Sequence, residues 1–298
     1  MLAGAQGNRF CKEIVLIDHT FCHIQGIGAA TEKRLWEADI HQWTDFVNCP
    51  EAPLSAGRYQ AALMEIEQSL EAFGSKDIAY FFQRLPAREH WRLFGAFRGR
   101  TAYLDIETTG LDFRHAMITT IALYDGTGIF TYVHGENLDR FVEDIFRYDL
   151  IITYNGKTFD VPFMESFFGV EFPHAHIDLR WVLGALGYKG GLKAVEKRFG
   201  LSRAELEGVD GYLAVLLWNE YAASGNRAAR ETLIAYNIED VINLEFLMHS
   251  AYNLKVEGTP FGSALYLDVP TRPAVPYSAD PVLVERIRSR YSGSRTFW

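Results

Sequence analysis

Residues Tyr103–Leu111 read YLDIETTGL and place two carboxylates, Asp105 and Glu107, inside an apolar run. On a β-strand, side chains two positions apart point to the same face, and their Cα atoms lie about 6.5–7 Å apart. That spacing suits two carboxylates that hold metal ions about 3.5–4 Å apart. A buried charge is costly without a partner, and the stretch contains no Lys or Arg. Taken alone, the motif is also compatible with a solvated strand edge.

The length and composition indicate a folded, soluble protein. The chain has 298 residues, of which 48% are hydrophobic and 14% are aromatic, enough for a substantial core. No apolar run reaches the roughly 18–20 residues that cross a bilayer, and the N-terminus does not read as a signal peptide. Three cysteines without metal-ligand spacing, Cys11, Cys22 and Cys49, predict free thiols. We therefore expect a cytoplasmic protein with no membrane association.

The formal net charge of −9 is unfavourable for a nucleic-acid-binding protein on a simple interpretation. Such a protein would need local basic patches or bound metal ions to receive a polyanion. The excess of acidic residues lies in residues 101–298. If those acids are metal ligands, the acidity is weak evidence in favour of phosphate chemistry.

The pattern of apolar residues divides the chain into three parts. Residues 1–99 predict a small helical domain, residues 100–252 an α/β domain, and residues 253–298 an irregular extension with a basic, mobile tail. In the first part, helical spacing predicts helices at Thr31–Ile40, Gly57–Gly74 and Arg88–Phe97.

The second part changes from helical to strand periodicity. Strands are predicted at 101–108, 116–124, 128–135 and 149–155, and helices at 137–148, 159–169, 191–200 and 226–252. Three successive strands followed by β–α alternation predict a mixed β-sheet with helices on both faces. The predicted fold class is therefore α/β, with a smaller N-terminal helical domain.

A second motif, TYNGKTFDVPF, places Asp160 after Phe159, where a helix follows a buried strand. Ligands of such sheets bind where the strands end. The alternative is that Asp160 only caps the helix.

A third motif, AYNIEDV, places Tyr236 and Asp240 four positions apart on a long helix. Residues at i and i+4 share a helix face, so a phenol lies one turn from a carboxylate. An ordinary exposed helix face is the alternative interpretation of this motif alone.

Together the motifs run in the order D-x-E, F-D and Y-x-x-x-D, and they resemble the DEDD (DnaQ-like) superfamily of 3′–5′ exonucleases, which has a ribonuclease H-like fold. DIETTG, NGKTFD and YNIEDV resemble its three exonuclease motifs. Tyr236 before Asp240 resembles the DEDDy branch, because Ala235 stands where the DEDDh branch has histidine. IDLRWVL and GGLKAVEKRFGL resemble the YprB-like bacterial branch. The resemblance covers roughly residues 101–250.

The resemblance implies four metal ligands, Asp105, Glu107, Asp160 and Asp240. Oxygen ligands suit two hard divalent cations, Mg²⁺ or Mn²⁺. Such ions would activate water and stabilise the departing 3′-oxygen, and Tyr236 would orient or deprotonate that water. The implied products are nucleoside 5′-monophosphates, released one at a time from a 3′ end.

Other residues have weaker functional interpretations. Asn155 and Phe159 are candidates to meet the terminal nucleotide, and Lys193 is a candidate phosphate contact near a helix start. A core Phe and a solvated Lys are the alternatives. Asp178 is expected to be structural, with hydrogen bonds to the backbone.

The N-terminal segment FCHIQGIGAATEKRLWEADI resembles a helix–hairpin–helix motif, although LIDHTFCHIQ is a poor first helix. Its glycines, Gly26 and Gly28, would let backbone N–H groups approach a DNA phosphate, with Lys33 and Arg34 assisting. A purely structural hairpin is equally compatible with the sequence. The dinucleotide-binding fingerprint fails, because Thr31 stands where glycine or alanine is needed.

The expected function is a metal-dependent 3′–5′ exonuclease that acts on single-stranded or frayed 3′ ends. A ribonuclease H-like endonuclease and a non-catalytic nucleic-acid-binding module are the alternatives. The sequence leaves open whether the substrate is DNA or RNA, since recognition of a 2′-hydroxyl has no short motif here.

Overall fold

The computed structural model describes residues 15–203, 206 and 209–291. Cys11 and the end of the predicted basic tail, residues 292–298, therefore lie outside the described residues. Within this described part, no helix is both long and apolar enough to cross a bilayer. Cys22 is a buried free thiol and Cys49 a partly exposed one.

The region before the sheet is helical. Its α-helices are α1 (Ala29–Glu37), α2 (Trp43–Val47), α3 (Ala56–Gly74), α4 (Ile78–Arg84) and α5 (Phe94–Phe97). They are accompanied by 3₁₀ helices at Leu16–His19, Ala87–Leu93 and Arg98–Arg100. Helices α1 and α3 lie where the sequence predicts them. The predicted helix at Arg88–Phe97 is instead mostly 3₁₀ and continues into the short α5, a common geometry at the start of an α-helix.

A five-stranded mixed sheet follows. Its strands are β1 (Thr101–Thr108), β2 (Ile118–Tyr124), β3 (Ile129–Val133), β4 (Leu150–Thr153) and β5 (Ala175–Asp178). The spatial order is β3-β2-β1-β4-β5, with β1, β2 and β3 antiparallel in sequence and β4 and β5 parallel to β1. The predicted α/β fold with a mixed sheet is confirmed, although β5 has no counterpart in the prediction.

Helices cover both faces of the sheet. They are α6 (Arg140–Ile145), α7 (Asp160–Phe168), α8 (Leu179–Ala185), α9 (Leu192–Arg198), α10 (Gly211–Ser224), α11 (Arg227–Val256) and α12 (Pro281–Tyr291). The longest, α11, lies against β1 and β2. Helices α6 and α7 pack on the opposite face, so the sheet is the middle of three layers.

The alternation of side chains along β1 determines on which face of the sheet the acidic residues lie. Ala102, Leu104 and Ile106 share a core cluster with residues of α6 and α7. Tyr103 belongs to the other cluster, which contains the buried face of α11. Odd-numbered residues of β1 therefore point towards α11, and Asp105 follows Tyr103 to that side.

The N-terminal helical region shares its core with the α11 side of the sheet. Tyr252, near the end of α11, has its ring centroid 5.8 Å from that of Trp91 and 6.1 Å from that of Phe94. One cluster of buried apolar residues continues from this region through the sheet to α12. The division of the chain at residues 99 and 252 stays a prediction.

The C-terminal part differs from the prediction of an irregular, mobile extension. Residues Pro281–Tyr291 form α12, in which Leu283, Val284 and Ile287 are buried. Asp280 accepts a hydrogen bond from the backbone N–H of Leu283, at 2.9 Å. An Asp cap followed by proline at the first helical position is a strong start signal, so the prediction is wrong for this segment.

A buried ion pair fixes α1 against the rest of the N-terminal region. The carboxylate of Glu32, in the first turn of α1, accepts hydrogen bonds from the backbone N–H groups of Phe21 and Cys22. It also accepts one from Nη1 of Arg92, at 3.0 Å. Both charged side chains are nearly inaccessible to water, and removing one partner leaves the other charge uncompensated.

Arg92→Leu is expected to lower the free energy of unfolding by about 3–5 kcal/mol, because it leaves the Glu32 carboxylate buried without its cation. Guanidinium denaturation of the metal-free protein measures the change. The double variant Glu32→Gln/Arg92→Leu should lose less free energy of unfolding than Arg92→Leu alone, because it no longer buries the Glu32 charge. Both variants remove the contact of Arg92 with Glu89, at 2.8 Å. If the double variant lost as much free energy of unfolding as Arg92→Leu, or more, the assignment of a buried Glu32–Arg92 ion pair would be contradicted.

Candidate metal centre and active site

Three carboxylates converge where β1 ends beneath α11. Asp105 and Glu107 come from β1, and Asp240 comes from the middle of α11. Each offers one oxygen, and these oxygens all lie within 4.8 Å of one another. The strand alternation and the crossing of α11 over β1 together produce this triad, which the sequence predicted as metal ligands.

Asp160, the fourth predicted ligand, lies beside this triad without belonging to it. It is the first residue of α7, and its Oδ1 accepts a hydrogen bond from the backbone N–H of Ile106 on β1, at 3.3 Å. Its negative charge adds to burial and to the charge of Asp240 in raising the pKa values of Asp105 and Glu107. The carboxylate therefore faces the acidic strand, which a helix cap alone would not require.

The electrostatics of the acidic residues favour a bound cation. Burial and the charges of neighbouring acids raise the pKa values of Asp105 and Glu107 well above their usual range. Burial is also the main cause that raises the pKa of Asp160 to about 7. A set of oxygen donors that repel one another fits hard divalent ions such as Mg²⁺ or Mn²⁺. The residues present therefore fit the metals that the sequence implied.

Asn237 positions the first acid of the triad. Its Nδ2 donates to Oδ2 of Asp105 at 2.7 Å and to the backbone carbonyl of Asp105 at 3.2 Å. None of the three sequence motifs assigned a role to this residue. The available signal was its spacing, since Asn237 stands three positions before Asp240 and shares its helix face.

Arg203 holds the third acid of the triad. Its guanidinium donates to Oδ1 of Asp240 and, at 2.7 and 2.6 Å, to the two carboxylate oxygens of Glu196 on α9. Burial raises the pKa of Asp240, and the Arg203 charge opposes that rise. Nothing in the sequence indicated Arg203 or Glu196, because no local motif marks an arginine in a loop as the partner of a distant helix.

Tyr236 lies one turn from Asp240 and is almost completely buried. Burial and the nearby charge of Asp240 raise its pKa well above 10, so the phenol is protonated at neutral pH. The Nζ of Lys193 lies 4.6 Å from its ring centroid and donates to the backbone carbonyl of Val209. A protonated phenol and a cation thus stand together beside the triad.

These groups open into a cleft of about 940 Å³. It is lined by acids (Asp105, Glu107, Asp240), by Tyr236, Tyr154, Asn155 and Trp181, by the cations Arg180, Lys189 and Lys193, and by Gly184, Ala185, Gly190, Gly191 and Leu192. Asn155 and Lys193, the candidate substrate contacts, both line this cleft, and their contact with a substrate stays a prediction. Phe159 does not line the cleft, because its ring packs 5.6 Å from Phe163 and 5.9 Å from Phe113.

The turn after β4 is held by Asp178, the last residue of β5. Its carboxylate accepts hydrogen bonds from the backbone N–H groups of Asn155, Lys157 and Arg180, at 2.8, 3.2 and 3.0 Å. The prediction that Asp178 is structural is confirmed. Asn155 takes a φ of +69° here, and Arg180 donates to its side-chain oxygen.

The N-terminal glycines lie outside the cleft. Gly26 has a φ of +79°, and Gly28 precedes the first residue of α1. Within residues 15–28, the segment before them contains a 3₁₀ turn at Leu16–His19 and no α-helix, so the first helix of a helix–hairpin–helix is missing there. Lys33 lies 3.7 Å from Glu37 as an exposed ion pair. The DNA contact of this segment stays a prediction.

Comparison with known proteins adds a family match. A family model described as RNase_H superfamily matches residues 102–252, just over half of the chain. No curated protein matches the chain at a significant level. Among solved structures, the family B DNA polymerase from the hyperthermophilic archaeon Pyrobaculum calidifontis has a TM-score of 0.39 and 20% sequence identity. That match covers 56% of this chain and 27% of the polymerase chain.

Asp160→Asn is expected to raise the melting temperature of the metal-free protein by a few degrees at about pH 8. Burial raises the pKa of this carboxyl from 3.8 to about 7 in the folded protein. The folded state therefore binds the proton more tightly than the unfolded state, and stability falls as the pH rises from about 4 to about 7. The increase in melting temperature caused by Asp160→Asn should therefore be largest above about pH 7 and should vanish near pH 4.

Thermal denaturation followed by circular dichroism in EDTA, at both ends of the pH window, measures this effect. Asp139→Asn is the matched control, because Asp139 is an exposed acid next to α6. It should leave the melting temperature unchanged. A stabilisation by Asp160→Asn that grows towards acid pH would contradict the electrostatic account.

Proposed function

Because the chain belongs to the RNase H superfamily, we propose that it is a metal-dependent 3′–5′ exonuclease of the DEDDy type and of the YprB-like branch. Its substrate would be the 3′ end of single-stranded or frayed DNA or RNA, and its products nucleoside 5′-monophosphates. The observation that carries this proposal is the convergence of Asp105, Glu107 and Asp240 within 4.8 Å at the floor of a cleft.

The proposed metal ligands are Asp105, Glu107, Asp160 and Asp240, which would hold two divalent cations, Mg²⁺ or Mn²⁺. Bound there, such ions lower the pKa of a water molecule and neutralise charge on a phosphodiester. The position of Asp160, bonded to β1 beside the triad, supports its inclusion in the set.

The remaining residues position the acids and the substrate. Asn237 fixes the orientation of Asp105 through two hydrogen bonds. Arg203 fixes Asp240 and supplies a buried positive charge. Lys193 brings a second cation to the wall of the cleft, where a phosphate would lie.

Tyr236 would orient or deprotonate the attacking water through its hydroxyl group. In the metal-free protein, burial and the charge of Asp240 raise the pKa of Tyr236, and the protonated phenol can donate a hydrogen bond and accept another. A general base must lose its proton before it can accept one, and burial among acids opposes that loss. A divalent cation beside Tyr236 would offset the negative charges that oppose this loss.

Asp105→Ala is expected to abolish Mg²⁺- or Mn²⁺-dependent degradation of a 5′-labelled linear oligonucleotide while leaving the fold intact. The variant loses a carboxylate of the triad and relieves charge repulsion, so its melting temperature should not fall. A panel of single-stranded DNA, duplex DNA and single-stranded RNA also determines the preferred substrate. Asp139→Ala, which removes an exposed acid outside the site, is the control and should retain full activity.

The products separate the proposed exonuclease from an endonuclease. An exonuclease shortens the 5′-labelled strand one nucleotide at a time and leaves a circular single strand uncut, whereas an endonuclease cuts the circle. Cleavage of the circle by the wild-type protein would replace the exonuclease proposal with the endonuclease alternative. If Asp105→Ala degraded the oligonucleotide as fully as the wild-type protein, the assignment of the acidic triad as the active site would be wrong.

Tyr236→Phe is expected to lower kcat by about 100-fold, the usual effect of losing a group that positions or transfers a proton. KM and the melting temperature should change little, because the ring and its contacts with Lys193 remain. Steady-state kinetics on the preferred substrate measure both constants. A kcat equal to that of the wild-type protein would show that the hydroxyl has no part in the reaction.

A further inference from the structure

A second hollow lies beside the cleft, between the N-terminal helical region and α8. Its volume is about 410 Å³. It is lined by the cations Arg88, Lys157 and Lys255, by Asp178, by His90, His176 and Trp181, and by Ala87, Ile177, Val182 and Ala185. We call this the basic hollow. Its size is that of a small-molecule pocket, too small to enclose a duplex.

The basic hollow is positively charged although the chain as a whole carries a net charge of −9. Asp178 is its one lining carboxylate among the described residues, and three backbone N–H groups already bind it. Burial lowers the pKa of His90, and burial with the nearby Lys157 charge lowers that of His176 to about 3. Both imidazoles are therefore neutral at pH 7. Arg88 is paired with Glu89 at 3.5 Å, so the uncompensated positive charge of the hollow comes from its two lysines.

The two lysines of the hollow are available to an anion. In the described part of the chain, neither Lys157 nor Lys255 forms an ion pair. The Nζ of Lys157 lies 5.8 Å from the ring centroid of Phe82, and that of Lys255 lies 5.3 Å from the ring centroid of Trp91. Partial burial lowers the pKa of each, and an anion bound between them would offset that cost.

Trp181 joins the hollow to the acidic cleft. It stands on α8, lines both cavities together with Ala185, and leaves 63% of its surface exposed. Such an exposed indole has no packing role that would require tryptophan. An unpaired base can stack on an exposed aromatic ring, whereas a base inside a duplex cannot.

We propose that a single nucleic-acid strand whose 3′ end lies at the acidic triad continues over Trp181 into the basic hollow. A base stacks on Trp181, and backbone phosphates on the 5′ side of the scissile bond bind Lys157 and Lys255. This inference rests on the proposed function and adds the path of the strand. It also explains how an acidic protein receives a polyanion, since the charge that attracts it is local.

Fluorescence anisotropy of a 5′-fluorescein-labelled, ten-nucleotide oligothymidylate tests the path. The full-length Asp105→Ala protein is the background, so that no cleavage occurs during the titration. Trp181→Ala is expected to weaken binding by about tenfold, within the range for one stacked base, and Trp181→Phe should retain most of the affinity. The same series with oligouridylate extends the test to RNA.

The salt dependence of binding reports on the phosphate contacts. Lys255→Gln and Lys157→Gln should each weaken binding and reduce the slope of log K against log salt by about 0.7, the value for one phosphate contact on a single strand. Arg140→Gln is the matched control, because it removes the same charge from an exposed position on α6, across the sheet. It should leave the slope unchanged.

The outcomes distinguish this path from the proposed function. Unchanged affinity and slope in Trp181→Ala and Lys255→Gln would overturn the path, even if the wild-type protein degrades single strands. Weakened binding in the same variants would support the path, even if the wild-type protein shows no nuclease activity. Equal binding of a blunt duplex, insensitive to Trp181→Ala, would also overturn it. Thermal denaturation checks that each variant folds. If Lys157→Gln does not fold, Lys255→Gln alone tests the phosphate contacts.

Discussion

The burial of several carboxylates against one another is the constraint on which the site depends. Loss of water raises the pKa values of Asp105, Glu107 and Asp160, and their mutual repulsion adds to the cost. Part of this negative charge is compensated by a distant segment, because Arg203 donates to Asp240, which lies 37 positions away in the sequence. α11 has to cross the sheet over the end of β1 for this balance to exist. Bound divalent cations would supply the rest of the positive charge that these carboxylates need.

The sheet could be predicted from short-range periodicity, and the acidic cluster from periodicity together with the resemblance to the DEDD exonucleases. The two-residue repeat of β1 places Asp105 and Glu107 on one side, and the four-residue spacing on α11 brings Tyr236 and Asp240 to one face. Their motifs occur on elements that the fold brings together at one edge of the sheet. Periodicity therefore paired the residues within each element, and the resemblance to the DEDD exonucleases implied that these acids belong to one site.

The parts that escaped prediction depend on contacts between distant segments. Arg203 lies in a loop, and nothing around it indicates that its guanidinium will bind α9 and α11. β5 is only four residues long, too short for a clear alternation. The basic hollow combines residues from the N-terminal region, the turn after β4, and both α8 and α11. Such a surface exists only after folding, so no window of sequence contains it.

The unbroken helix α11 fixes the distance between the acidic triad and the basic hollow. Asp240 and Lys255 stand on the same unbroken helix, and 15 residues of α-helix separate them by about 22 Å along the axis. That distance corresponds to about six stacked nucleotides at 3.4 Å each. A strand shorter than this would reach the acids without reaching the lysine. On the proposed path, a strand shorter than about six nucleotides would lose its contact with Lys255. The proposed exonuclease should therefore slow at that length and leave short limit oligonucleotides.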